Sequence, residues 1–146
     1  MSRSPTSLEQ IRALYLDTDY LVLDGKRRLT ARVGRLNPEI DALLERRGAA
    51  EAVFVTAWNP RSQPRSQADN DAAHARLLEI LEDEDLEFLP HEGRARGGDW
   101  AEQGVLIFDL PPLDALALAE HLQQNAIVWQ ALGQPAQLLF TRLAVA

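Results

Sequence analysis

Thr56, Asn59, Asn70, Glu102 and Asn125 are polar residues set in or beside otherwise apolar stretches, where side chains able to hold a ligand stand out. Amides and a hydroxyl orient a small molecule through hydrogen bonds, and Glu102 is the one acid among the five placed for proton transfer. The same residues equally suit a structural network, because asparagine side chains often pin loops to a neighbouring sheet. Two expected loops add positive charge, Arg61 and Arg65 in one and Arg94 and Arg96 in the other. Near the helix N-terminus expected at Ser66, whose free amide groups favour negative charge, they offer a place for phosphate, sulfate or a carboxylate. As solvated surface groups they would only balance the acidic residues of 79–87.

Other chemistries find less support. Trp100 follows a glycine- and arginine-rich segment and is the tryptophan expected to stack on a ligand, whereas Trp58 and Trp129 read as core anchors. His74, His91 and His121 show no paired ligand spacing, so no metal site is expected. The serines lack the context of a nucleophile elbow, and Gly97-Gly98 lacks the glycine spacing of a nucleotide fingerprint. No pattern names a cofactor or decides whether the chain is an enzyme.

The elements that must position these residues follow from periodicity. Val53-Phe-Val-Thr-Ala-Trp58 reads as a strand buried on both faces, central to the fold, that breaks into Asn59-Pro60 and a polar loop over 60–65. Ahead of it, Leu8, Ile11, Leu14 and Tyr15 form one stripe of a helix, and residues 20–23 and 29–33 form a hairpin around Asp24-Gly25. Asn37-Pro38 then caps a helix with Ile40, Leu43 and Leu44 inward, which Gly48 ends. Beyond the strand, Ser66-Gln-Ala-Asp69 starts a helix reaching about Asp83, with Ala73, Leu77, Ile80 and Leu81 inward and Asn70 on the same face, near Asn59. His74 lies one turn later and shares that rim. Residues 86–89 are a short strand, 91–99 a loop and 105–108 a second apolar strand. Pro111-Pro112 introduces a helix with Leu113, Leu116, Ala117 and Leu122 inward, and strands at 126–129 and 137–141 complete the chain. The order implies a single α+β domain over 1–146, a mixed sheet of about six or seven strands with about four helices packed on it.

Composition bounds the function. The 146 residues are 46% hydrophobic and 25% charged, and the apolar runs are far shorter than a bilayer span of roughly 20 residues. No membrane segment and no signal peptide are expected, and 0 cysteines suit a reducing cytoplasm. A net charge of −7 repels nucleic acid.

Val55-Thr-Ala-Trp-Asn-Pro60, Asn70, Gly93, Trp100-Ala-Glu102 and Gln124-Asn-Ala126, in that order, together with Tyr15-Leu-Asp-Thr-Asp-Tyr20 at the start, resemble the bacterial family catalogued as domain of unknown function 3293. The resemblance covers nearly the whole chain. One departure is Gln103-Gly104, where that pattern calls for a small hydroxyl residue soon after the tryptophan–acid pair. The resemblance implies a compact bacterial domain and supplies no activity. The residues themselves point to a small, anionic ligand at the end of the strand 53–58, held by Thr56, Asn59, Arg61, Asn70, Arg94, Trp100, Glu102 and Asn125. A protein-interaction module without a pocket is the alternative, and the oligomeric state is not legible.

Overall fold

The computed structural model describes residues 5, 7–98 and 100–145; Asp99, the last residue of the expected loop, and most of the first six residues lie outside that set. The elements run α1 (Leu8–Leu16), β1 (Thr18–Asp24), β2 (Arg27–Ala31), α2 (Pro38–Arg47), β3 (Glu51–Val55), α3 (Gln67–Asp83), β4 (Phe88–Ala95), β5 (Ala101–Phe108), α4 (Pro112–His121), β6 (Ala126–Ala131) and β7 (Gln137–Phe140). This is the expected order of helices and strands. The local signals behave as their chemistry requires: Ser7 and Ser66 side chains accept from the Gln10 and Asp69 amides, and Gly48 ends α2 at φ 67°.

All seven strands join one sheet in the order β2-β1-β4-β5-β3-β6-β7, every neighbouring pair antiparallel. β3 is therefore interior but not the middle strand, which is β5. The sheet curls until its two ends meet. Val33, just past β2, makes an isolated parallel bridge to Ala136, just before β7, and the Gly34 amide donates to the Ala136 carbonyl at 2.8 Å.

Curling gives the sheet an inner and an outer face. Alternate residues of the same strands serve each: Phe54, Leu106 and Val128 turn inward toward Ile40, Leu43 and Leu44 of α2, while Val53, Val105 and Ile127 turn outward to Leu77 and Leu81 of α3 and Ala115 and Ala119 of α4. Each large apolar side chain buried this way contributes roughly 1.5–3 kcal/mol. Both faces are covered, which is why 53–55 read as a continuous apolar run.

Further expectations need correction, and β3 itself stops at Val55, so Thr56, Ala57 and Trp58 lie beyond the strand expected over 53–58. Residues 91–95 are not loop but the second half of β4, hydrogen-bonded to both β1 and β5. Glycine and arginine hid that strand, since Gly93 faces inward and Arg94 outward into solvent. Correspondingly, β5 begins at Ala101 rather than near 105. In α4 the inward pair is Ala115 and Ala119, flanked by Leu116 and Leu122, while Leu113 is 81% exposed and Ala117 also points out. Small residues let that helix lie close on the sheet.

Asn37 precedes α2 but its side chain caps nothing. It accepts from the Arg32 amide at 3.0 Å, donates to the Arg32 carbonyl at 3.1 Å and donates to Gln130 Oε1 at 2.9 Å, tying the end of β2 to β6 across the seam. Gln130 is fully buried and in turn donates to Asp41 Oδ1 at 3.1 Å. Removing one member of a buried polar set leaves the others unsatisfied. Asn37→Ala is therefore expected to cost about 2–3 kcal/mol in urea unfolding, and a loss below about 0.5 kcal/mol would show that the seam does not depend on this amide.

Candidate functional site

Where α2 ends, the inner face is left to the residues at the other end of the strands. Register places Tyr20 opposite Gly93, Gly93 opposite Glu102 and His91 opposite Gly104, so all five share that face. The two glycines let neighbouring side chains settle low on it. A Cβ at Gly93 would lie 3.4 Å from Thr18 Cγ2 and 3.8 Å from the Tyr20 ring. A Cβ at Gly104 would run into the His91 imidazole and lie 2.6 Å from the Val55 carbonyl, so His91 takes the room a side chain there would need. The space beside Gly104 is thus occupied by a neighbouring ring.

Tyr20, Phe54 and His91 form a connected aromatic floor, with centroids 5.2 Å apart for Tyr20–Phe54, 5.8 Å for Tyr20–His91 and 5.2 Å, edge to face, for Phe54–His91. Above it opens a cavity of about 370 Å³. Leu14 and Tyr15 of α1 form one wall, Thr56 and Asn59 beyond β3 another, and Trp100 and Glu102 at the start of β5 a third. Tyr15 reaches across to the Ala126 carbonyl at 3.4 Å.

The polar wall is knit by asparagines. The Asn59 amide donates to Asn70 Oδ1 at 2.9 Å, Asn70 Nδ2 returns a bond to Asn59 Oδ1 at 3.0 Å, and Asn59 Nδ2 donates to Glu102 Oε2 at 2.7 Å. Asn59 Oδ1 also accepts from the Arg65 amide. The segment after Asn59 is strained: Asn59, Arg61 and Ser62 have φ of 47°, 57° and 60°, a conformation costing roughly 1–2 kcal/mol for a residue with a Cβ. Bonds from 123–125 hold it, with the Arg61 amide donating to the Gln123 carbonyl, Gln124 Nε2 to the Trp58 carbonyl and Asn125 Nδ2 to Ser62 Oγ.

Of the residues singled out in the sequence, Thr56, Asn59, Trp100 and Glu102 line the cavity together. The Thr56 hydroxyl is engaged, donating to the Gln103 carbonyl at 2.6 Å and accepting from the Trp58 amide. Asn70 is buried behind Asn59, and Asn125 braces Ser62; neither lines the cavity. Arg61 and Arg94 do not line it either. Arg61 turns toward the Leu143 carbonyl, and Arg94, on the outward side of β4, pairs with Glu92 at 3.2 Å. Arg96 lies 3.7 Å from the Asp19 carboxylate, so the expected convergence of arginines is replaced by separate local pairs. Among the described residues no arginine or lysine lines the cavity. Trp58 and Trp129 are half-buried, and Trp129 donates to Glu51 at 2.8 Å.

Tyr15, Tyr20, Phe54 and His91 were not legible as site residues. For Tyr20 and His91 the available signal is the alternation of 18, 20 and 22 against 91 and 93, visible only once 91–95 is recognised as strand.

Burial sets the ionisation of this cavity. It raises the Glu102 carboxyl above its ordinary range, partly offset by the bond from Asn59, and raises both tyrosines, to which a Glu102 charge adds. Burial lowers His91 to about 4, leaving a neutral imidazole. Among the described residues no cluster of histidine, aspartate and glutamate could hold a metal ion, and no helix is long and apolar enough to cross a membrane.

Residues 55–127, half of the chain, match the family described as Protein of unknown function (DUF3293). The chain belongs to that family. In this DUF3293 protein the matched segment begins at the end of β3 and ends at the second residue of β6, and so carries Asn59, Asn70, Glu102 and Gln124 but not Tyr15 or Tyr20. The match is narrower than the near-complete resemblance expected. No curated protein and no solved structure matches the chain.

The Asn59–Glu102 bond makes a pH-dependent prediction. A carboxyl whose folded pKa is raised gives stability fully present below its unfolded pKa and lost as pH rises through the folded one. Asn59→Ala removes the donor that steadies the carboxylate, so its cost, about 1–3 kcal/mol, should be greater at about pH 8 than at about pH 5. Urea unfolding at both pH values measures this; an equal cost would mean that Asn59 does not support the ionised form.

Proposed function

We propose that this protein is a small-molecule-binding domain whose site is the cavity at the end of β3. The observation that carries the reading is the chemistry of the walls: about 370 Å³ of space lined by aromatic and aliphatic side chains with a few convergent polar groups. That is the form of a site that takes an apolar body and orients it through one polar end. Tyr20, Phe54 and His91 would receive the body, with Trp100 stacking at the rim. Glu102 and the Asn59 amide would meet the polar end, and Asn70 and Asn125 serve by bracing the wall. The strained backbone at 59–62 supports a ligand role, since such conformations cluster at binding sites.

An anionic ligand loses its support, because Arg61 and Arg94 are engaged elsewhere and, among the described residues, the one charged group in the lining is an acid. A docking module would leave the cavity unexplained. If the domain is catalytic, Glu102 is the group to give or take a proton. We place the protein in the bacterial cytoplasm, which suits a chain with 0 cysteines, and away from nucleic acid, given the charge of −7.

Saturation-transfer NMR with a library of small fragments tests this. Ala126 lines the cavity and is buried, so Ala126→Phe should fill it. Fragments are expected to bind the wild type and to lose binding by about tenfold or more in the variant, provided that it still unfolds cooperatively. Fragments that bind both proteins equally would place the site elsewhere.

A further inference from the structure

We propose that the ligand is an organic cation, a small molecule with a protonated amine on an apolar body, and that the amine pairs with the free oxygen of Glu102. The proposal rests on the cavity being the ligand site and adds the class of molecule it takes.

Among the described residues Glu102 is the only carboxylate in the cavity lining, and its two oxygens differ. Oε2 accepts from Asn59 at 2.7 Å, whereas among the described residues no donor bonds Oε1, which is left to the cavity. The groups that feel this carboxyl are the Tyr15 phenol from α1 and the Tyr20 phenol from β1, and the His91 imidazole from β4 lines the same cavity. None of these supplies a positive charge, since His91 is held neutral by burial.

The chemistry of possible polar ends then separates clearly. An anion would be brought out of water beside a carboxyl, with no cation among the described lining residues to receive it, which is costly. A neutral hydroxyl would gain one ordinary hydrogen bond. An ammonium group would gain a charge-assisted bond to Oε1 in surroundings that screen it little, with aromatic faces on several sides. The rings are present: Tyr20 and Phe54 in the floor, Tyr15 on the wall and Trp100 at the 40% exposed rim. The net charge of −7 draws cations toward the molecule.

Proton balance supplies a signature. Burial favours the protonated acid in the empty cavity, and an arriving ammonium favours the carboxylate. Over the pH range in which Glu102 titrates, binding must therefore release up to one proton from Glu102 to solvent while the ligand keeps its own.

Isothermal titration calorimetry with three probes of matched shape tests the proposal: 2-phenylethylamine as the cation, 2-phenylethanol as the neutral molecule and 3-phenylpropanoate as the anion. The amine is expected to bind the wild type at least about tenfold tighter than the alcohol, with the anion weakest. In Glu102→Gln the amine's advantage should vanish while alcohol binding persists, and in the wild type, buffers of differing ionisation heat should reveal proton release. An alcohol or acid that binds as tightly as the amine, or an advantage that survives Glu102→Gln, overturns the proposal. So does a cavity that binds only uncharged fragments in a manner sensitive to Ala126→Phe, an outcome that leaves the binding function standing. If no molecule of any charge responds to Ala126→Phe, both readings fall.

Discussion

A sheet that curls until its ends meet must fill its concave face, and in this protein the filling differs from one end to the other. Val33 and Ala136 close the seam, with Asn37 and Gln130 bonded across it. At one end of the enclosed face, Ile40, Leu43 and Leu44 of α2 pack against Val22, Leu106 and Val128. At the other end α1 contributes only a wall, through Leu14 and Tyr15. There Gly93 and Gly104 withhold side chains, and the rings of Tyr20 and His91 settle on the backbone beneath an open volume. The hollow lies beyond the reach of α2, above the rings that the two glycines allow to sit low on the sheet.

Keeping a carboxyl in that hollow has a cost, and the surrounding polar groups are arranged around it. Burial alone would disfavour the charged form of Glu102; the Asn59 bond offsets part of that and leaves one oxygen uncommitted. Asn59 can reach it because the backbone there turns through the left-handed region, a conformation asparagine tolerates better than most residues. That turn persists because Asn70 from α3 and the 123–125 segment hold it from two sides. A strained loop, a pair of buried amides and an acid in an apolar cavity thus form one connected unit spanning β3, α3, β5 and the entry to β6.

Much of this could be read from the chain, for identifiable reasons. Helix boundaries followed from local chemistry, as with Ser66 accepting from Asp69 and Gly48 at positive φ. The Asn59–Asn70 pairing followed from helical periodicity, which put Asn70 on the inward face. What escaped depends on partners far apart in sequence. The second half of β4 looked like a loop because its glycine and arginine make sense only beside β1 and β5. The arginines suggested an anion because charge is visible in a sequence and direction is not; on a strand, Arg94 points away from the face that Gly93 serves. Asn37 resembled a helix cap, yet its amide is taken by Arg32 and by Gln130, 93 residues away.

The central claim is that burial in the cavity raises the Glu102 carboxyl above its ordinary range, with the Asn59 amide offsetting part of that rise. A carbon-13 NMR titration of the Glu102 side-chain carboxyl in the ligand-free protein measures this directly. The midpoint should lie above the ordinary value of 4.5, and higher still in a variant lacking the Asn59 amide. A wild-type midpoint at or below 4.5 would mean that water or an unseen positive partner already satisfies the carboxylate, and would contradict the cavity described for this fold.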